Sequence, residues 1–141
     1  MFLPVTDSST PIDTPPRTHY HSAESHPMAL AIDSREVAKV TILDLTGRIV
    51  LGDEIDQLRT AVRNLLAAGK NRIVLNLAEV TMIDSSGIGL LVRFMATAKQ
   101  RGGNIKLVQP SKFAIQTLRL VGVLNLFEIF DSDDAAVESF A

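Results

Sequence analysis

Cysteine is absent from the 141 residues, and so is tryptophan. The first absence excludes disulfides, thiol nucleophiles and Cys-ligated metal sites, and fits a reducing compartment. Aromatics make up only 5% of the chain, against 46% hydrophobic residues, so any core must be mainly aliphatic. No apolar run reaches the roughly 18 residues that a membrane helix needs. The opening Met1-Phe2-Leu3-Pro4-Val5 lacks a basic stretch and a proper apolar segment, so it does not read as a signal peptide. Charge of one sign is lacking too. From Met28 onward 13 acids face 13 bases, which leaves no electrostatic footprint for nucleic acid or an anionic membrane. These absences point to a soluble, cytoplasmic, single-domain protein.

Proline is scarce everywhere except at the start. Five of the six prolines lie within residues 1–27, among many Ser and Thr. Such a segment cannot bury enough apolar surface to offset its ordering entropy, so it reads as a disordered tail. Sustained patterning begins just after Met28, a candidate translation start, and residues 28–141 read as one domain.

The patterned part alternates strands and helices. Val37–Leu45 reads as a strand rich in β-branched residues, and Arg48–Leu51 as a second short extended piece. Asp53 is placed to cap a helix whose Ile55, Leu58, Val62, Leu65 and Leu66 share one face, with Gly69 ending it. Arg72–Leu77 is nearly continuous aliphatic sequence, as in a strand covered on both faces. Residues 78–84 read as a loop, followed by a helix from about Ser86 to Arg101. Ile105–Val108 is the next strand. Pro110 and Ser111 open a further helix, Phe127–Phe130 is a short strand, and Asp131 or Ser132 caps a last helix, Asp133–Phe140. The order β-β-α-β-α-β-α-β-α predicts an α/β fold: a mixed sheet of four to five strands packed by four helices.

The most informative stretch is Asp84-Ser85-Ser86-Gly87-Ile88-Gly89. It follows the buried strand and opens the central helix, where partners tend to meet an open α/β sheet. The first N–H groups of that helix have no intrahelical partner and the dipole there is positive, so phosphate on Ser85 would be stabilised. Gly87 and Gly89 would leave that end uncrowded. Beside Asp84 the added charge would be repulsive, and in a packed interface it would be costly to desolvate. The plain alternative is that Ser-Ser-Gly exists only to start the helix. Ile88, Leu91 and Met95, at spacings of three and four, are a candidate docking stripe or else core.

Catalysis has little support. His19, His21 and His26 all lie in the tail, so Asp84-Ser85 has no base for a triad. No Gly-x-Ser-x-Gly elbow or phosphate-binding Gly-x-x-x-x-Gly-Lys loop occurs. His19-x-His21 with His26 could chelate a metal but reads better as solvated residues. The Asp131-Ser132-Asp133-Asp134 cluster lacks the glycine and distal glutamate of a calcium loop and reads as a helix start. No cofactor and no metal site are expected.

Asp84-Ser85-Ser86-Gly87-Ile88-Gly89 preceded by Ile73–Leu77, with Leu45-Thr46-Gly47 and Arg101–Val108 at the right spacing, resembles the STAS family of sulfate transporter and anti-sigma factor antagonist domains. The resemblance covers about Glu36–Phe140. It implies an antagonist that binds an anti-sigma factor, a serine kinase of the GHKL type, and so frees the sigma factor. The kinase would phosphorylate Ser85, or alternatively Ser86, and a PP2C-type phosphatase would reset it. Asp84, Ser86, Gly87 and Gly89 would shape the site. Some relatives are scaffolds that are not phosphorylated, and some bind nucleotides weakly. Members of the antagonist type often carry an Asp in a Gly-x-Leu-Asp pattern. Here the run is Gly47-Arg48-Ile49-Val50, and Asp53 is the first acid to follow, a candidate substitute.

Overall fold

The computed structural model describes residues 30–141. The proposed tail, with its three histidines and the candidate start at Met28, lies outside these residues. Five strands form one sheet: β1 Ala31–Val37, β2 Val40–Ile49, β3 Arg72–Ile83, β4 Asn104–Val108 and β5 Ile129–Phe130. Among the described residues four α-helices accompany them: α1 Asp53–Ala67, α2 Ser85–Gln100, α3 Lys112–Leu120 and α4 Asp133–Glu138, with a 3-10 turn at Leu124–Leu126. The strands lie side by side in chain order. β1 is antiparallel to β2, and every other pair is parallel. The expected mixed sheet with four helices is therefore the fold.

The first two strands differ from the expected ones. Val37 pairs with Val40 across a two-residue turn, so the apolar run Val37–Leu45 spans a hairpin rather than one strand. Ala38 and Lys39 both have positive φ, 51° and 67°, as a type I′ turn demands. Neither residue type favours that region, and no Asn-Gly signal marks the turn. Arg48 and Ile49 continue β2 past Gly47, so they are not a separate strand.

Sequential strand order has a consequence for the layers. Parallel crossovers of one hand, taken always in the same direction, place α1, α2 and α3 on one face. The alternate residues of each strand follow: Leu43, Leu45, Ile73, Leu75, Leu77, Ile105 and Leu107 join the core beneath these helices. The opposite face carries Val40, Ile42, Val74 and Val108 and is covered by α4 through Ala136, with Val137, Phe130 and Phe140 against it. Because the order never reverses, there is no switch-point crevice of the doubly wound kind.

Polar contacts fasten α4 to its face. Arg35 on β1 bridges Asp44 on β2 and Asp133 on α4. The Asp44 hydrogen bond is the main cause that raises the Arg35 guanidinium above its ordinary range. Asn76 donates to the other Asp133 oxygen at 3.0 Å. Lys106, only 5% exposed, donates to Ser139 Oγ at 2.7 Å and sits 4.1 Å from the centre of the Phe140 ring. Ser132 caps α4, accepting from Ala135 N. The acids at 131–134 thus serve the helix start, as expected. No cluster of three metal-ligating side chains occurs among the described residues, and none of their helices is long and apolar enough to cross a membrane.

A left-handed conformation costs an ordinary L-residue about 1–2 kcal/mol. Replacing Ala38-Lys39 by Asn-Gly should therefore stabilise the domain by about 1 kcal/mol in urea unfolding. An unchanged or lower midpoint would show that these two residues carry no such cost.

Candidate functional site

The candidate site stands at the C-terminal ends of β2 and β3. β4 pairs with β3 only from Arg72 to Asn76. Beyond that point β3 follows β2 alone as far as Ile83, and two register shifts bend the pair. The segment expected as a loop is thus an irregular strand extension. Its burial no longer alternates: Val80 and Ile83 are buried while Glu79, Thr81 and Met82 are exposed. Bulges break the period of two, so the stretch carries no strand signature.

Asp84 ends this arm and makes three hydrogen bonds besides the first one of α2, from Ile88 N to its carbonyl. Its backbone N–H donates to Ile49 O at 3.2 Å. Its Oδ2 accepts from Leu51 N at 3.0 Å, and its Oδ1 accepts from Gly87 N at 2.9 Å. One carboxylate therefore caps α2 and also ties α2 to the loop that leads into α1. The capping role reserved for the serines falls to Asp84.

Freed of that task, Ser85 is exposed as the first residue of α2, and Ser86 is half-buried. Among the first helical N–H groups, that of Gly87 is taken by Asp84, and those of Ser85 and Ser86 precede any intrahelical acceptor. Geometry and dipole favour an anion at that end, and the Asp84 carboxylate already stands there.

The two glycines have different tasks. Gly87 is buried, and a Cβ there would lie 2.5 Å from Ile49 O. It lets the helix start press against the end of β2, and does not open the site to a partner. Gly89 has nothing within 4 Å of a Cβ, so it alone meets the expectation of an uncrowded position.

Three candidate docking residues are corrected. Ile88 is 3% exposed, Leu91 0% and Met95 6%, and all three belong to the main core. α2 packs on the sheet beside α1, so its apolar face is wide, and the stripe at spacings of three and four points inward. The exposed apolar residues near the site are others. Leu51, in the loop before α1, is 74% exposed, and Met82, two residues before Asp84, is 41% exposed. Short segments without helical period gave no sign of them. Asp53 also departs from its expected role. Gly52 is the N-cap of α1, and Asp53 lies exposed in the first turn, two residues after the Leu51 amide that Asp84 holds.

Gly87→Ala should destabilise the fold by about 1–3 kcal/mol, the usual cost of overpacking. Gly89→Ala should stabilise it by about 0.5–1 kcal/mol, as expected of a helix interior with room for a methyl. Thermal unfolding of both variants checks the pair. Equal effects would contradict the close approach of α2 to Ile49.

Comparison with known proteins bears on this geometry. The STAS domain profile matches residues 31–136. A Thermotoga maritima protein designated an anti-sigma factor antagonist is 32% identical over 73 residues, 52% of this chain. The match spans 65% of that relative's length. A crystal structure of an anti-sigma factor antagonist from Thermotoga maritima superposes with a TM-score of 0.71 at 25% identity, covering 77% of this chain and 93% of that one. SpoIIAA, an anti-sigma factor antagonist solved in unphosphorylated and phosphorylated forms, shares the fold at 20% identity, with TM-scores of 0.68 and 0.64. The two SpoIIAA structures cover 77% and 79% of this chain, and 95% and 100% of their own chains. The arm of β2 and β3, the capped start of α2 and the sequential mixed sheet are features of a chain that belongs to the STAS domain family.

Proposed function

We propose that this chain is an anti-sigma factor antagonist whose partner affinity is gated by phosphorylation of Ser85. The observation that carries the reading is an exposed Ser85 on a fixed helix start, flanked by exposed Leu51 and Met82. Around Ser85 the unphosphorylated surface sets two exposed apolar side chains among polar ones such as Asp53 and Thr81, a mixture that suits a protein interface. The partner is an anti-sigma factor of the GHKL serine-kinase class, with a PP2C-type phosphatase as the resetting enzyme. Binding of the antagonist frees the sigma factor. The domain itself acts as a ligand, not as an enzyme. No histidine occurs among the described residues to serve as a base beside Ser85.

Exposure favours Ser85 over Ser86 as acceptor. A phosphate there adds about −1.5 to −2 charge beside Asp84. The helix start stabilises the phosphate in the free protein. In the complex the same charge must be desolvated against Leu51, Met82 and the partner surface, which is costly. A penalty of a few kcal/mol weakens binding about a hundredfold or more. Asp84 already holds the frame in place, so the switch needs no large rearrangement.

Phosphosite mapping by mass spectrometry, on protein from its native host with Ser85→Ala as control, should find phosphate on Ser85. Leu51→Asp combined with Met82→Asp should abolish capture of the kinase while the thermal midpoint stays within about 2 °C of the parent, as surface changes generally allow. A site that stays unmodified across growth and stress conditions would overturn the switch. Intact capture by the double variant would overturn the docking surface.

A further inference from the structure

A groove between α1 and α2 gathers four of the nine arginines in the chain and no acid among the residues that line it. Arg59 and Arg63 stand on α1. Arg93 stands on α2, and Arg101 at its end. The floor is apolar, formed by Leu66, Leu90 and Phe94, and the cavity volume is about 490 Å³. Two of the guanidinium groups are engaged locally. Arg59 pairs with Asp56 at 2.6 Å, and Arg101 donates to the Leu66 carbonyl at 2.9 Å, closing the end of α1. Arg63 and Arg93 are exposed and line the groove from opposite helices, and their guanidinium groups have no ion-pair or hydrogen-bond partner among the described residues.

Arginines on helix surfaces are ordinarily solvated one by one, on whichever face is exposed. That account does not explain their concentration here, in a domain whose charges otherwise balance. Arg59 and Arg63 are one turn apart, an unfavourable like-charge spacing on a helix. Adding two more cations across a cleft with an apolar floor raises the local potential further. An anion in the cleft relieves that repulsion. Planar guanidinium groups match phosphate or carboxylate with paired donors. The floor matches an apolar body, and the volume falls in the range of small-molecule sites, about 300–1,000 Å³.

We propose that this groove binds a small organic anion, its phosphate or carboxylate held by Arg63 and Arg93 and its apolar body lying over Leu90 and Phe94. The site is separate from Ser85, which stands at the start of α2, eight residues before Arg93, and it does not depend on the switch proposed above.

The test is a titration of the full chain by amide NMR with hexyl phosphate, inorganic phosphate and hexanol, each alone. Hexyl phosphate should shift resonances around Arg63, Leu90, Arg93 and Phe94, more strongly than either fragment. Arg63→Gln combined with Arg93→Gln should weaken it by about tenfold or more while the fold persists, since both charge-assisted contacts are lost. Equal response to inorganic phosphate would remove the apolar half of the site. Unchanged affinity in the double variant, or shifts centred on Ser85, would overturn the assignment. Co-sedimentation with anionic phospholipid vesicles, with no response to hexyl phosphate, would assign the arginines to a membrane surface and overturn it as well.

Discussion

The carbonyl of Ile49 is the point on which the site depends. It accepts the Asp84 backbone N–H and lies where a side chain at Gly87 would have to go. The end of β2 and the start of α2 therefore meet at van der Waals distance, with a single carboxylate joining them on either side. A helix start held this way has little freedom to move on binding. On the proposed function, a partner docking at Ser85 would meet a backbone already ordered and would lose little entropy in fixing it. The cap that could have been supplied by serine is supplied by the residue before it, and this leaves a hydroxyl available for chemistry.

Sheet topology explains why the site projects. β4 pairs with only the first part of β3, so the later part of β3 rides on β2 as a two-stranded arm. Two irregularities in register bend that arm and aim its end outward. A regular strand of the same length would have kept its alternation and buried Met82 or Glu79 at the wrong face. The same absence of strand-order reversal leaves the strand ends without the switch-point crevice that would enclose a substrate.

Much of this was legible in the residues. Period-3.6 patterning and end signals located α1 and α2 well: Gly69 does end α1 at positive φ, α2 stops one residue before the expected Arg101, and Ser111 does cap α3. Aliphatic runs located the cores of β3 and β4. The Asp84-Ser85-Ser86-Gly87 motif was readable as a helix start. The hairpin at Ala38-Lys39 was not, because its backbone is imposed by pairing and not by turn chemistry. β1 was missed for a related reason: Asp33, Ser34, Arg35 and Glu36 are polar on both faces, and the Arg35 partners, Asp44 on β2 and Asp133 on α4, come from tertiary pairing. Ile88, Leu91 and Met95 had the spacing of a stripe, but spacing does not say which side of a helix meets the sheet. Leu51 and Met82 sit in non-periodic segments, where burial follows from tertiary geometry alone.

The two faces of the sheet are closed by very different lengths of chain. Three helices cover one face as the strands are made, whereas Val40, Ile42, Val74 and Val108 wait for a six-residue helix that comes after every strand. The cover of that face is thus one short segment, separate from the crossovers that close the other. Whenever α4 is undocked, four aliphatic side chains face water, and strand pairing must hold without their burial. Residues 133–140 therefore act as a latch that decides whether the domain shows a sticky face.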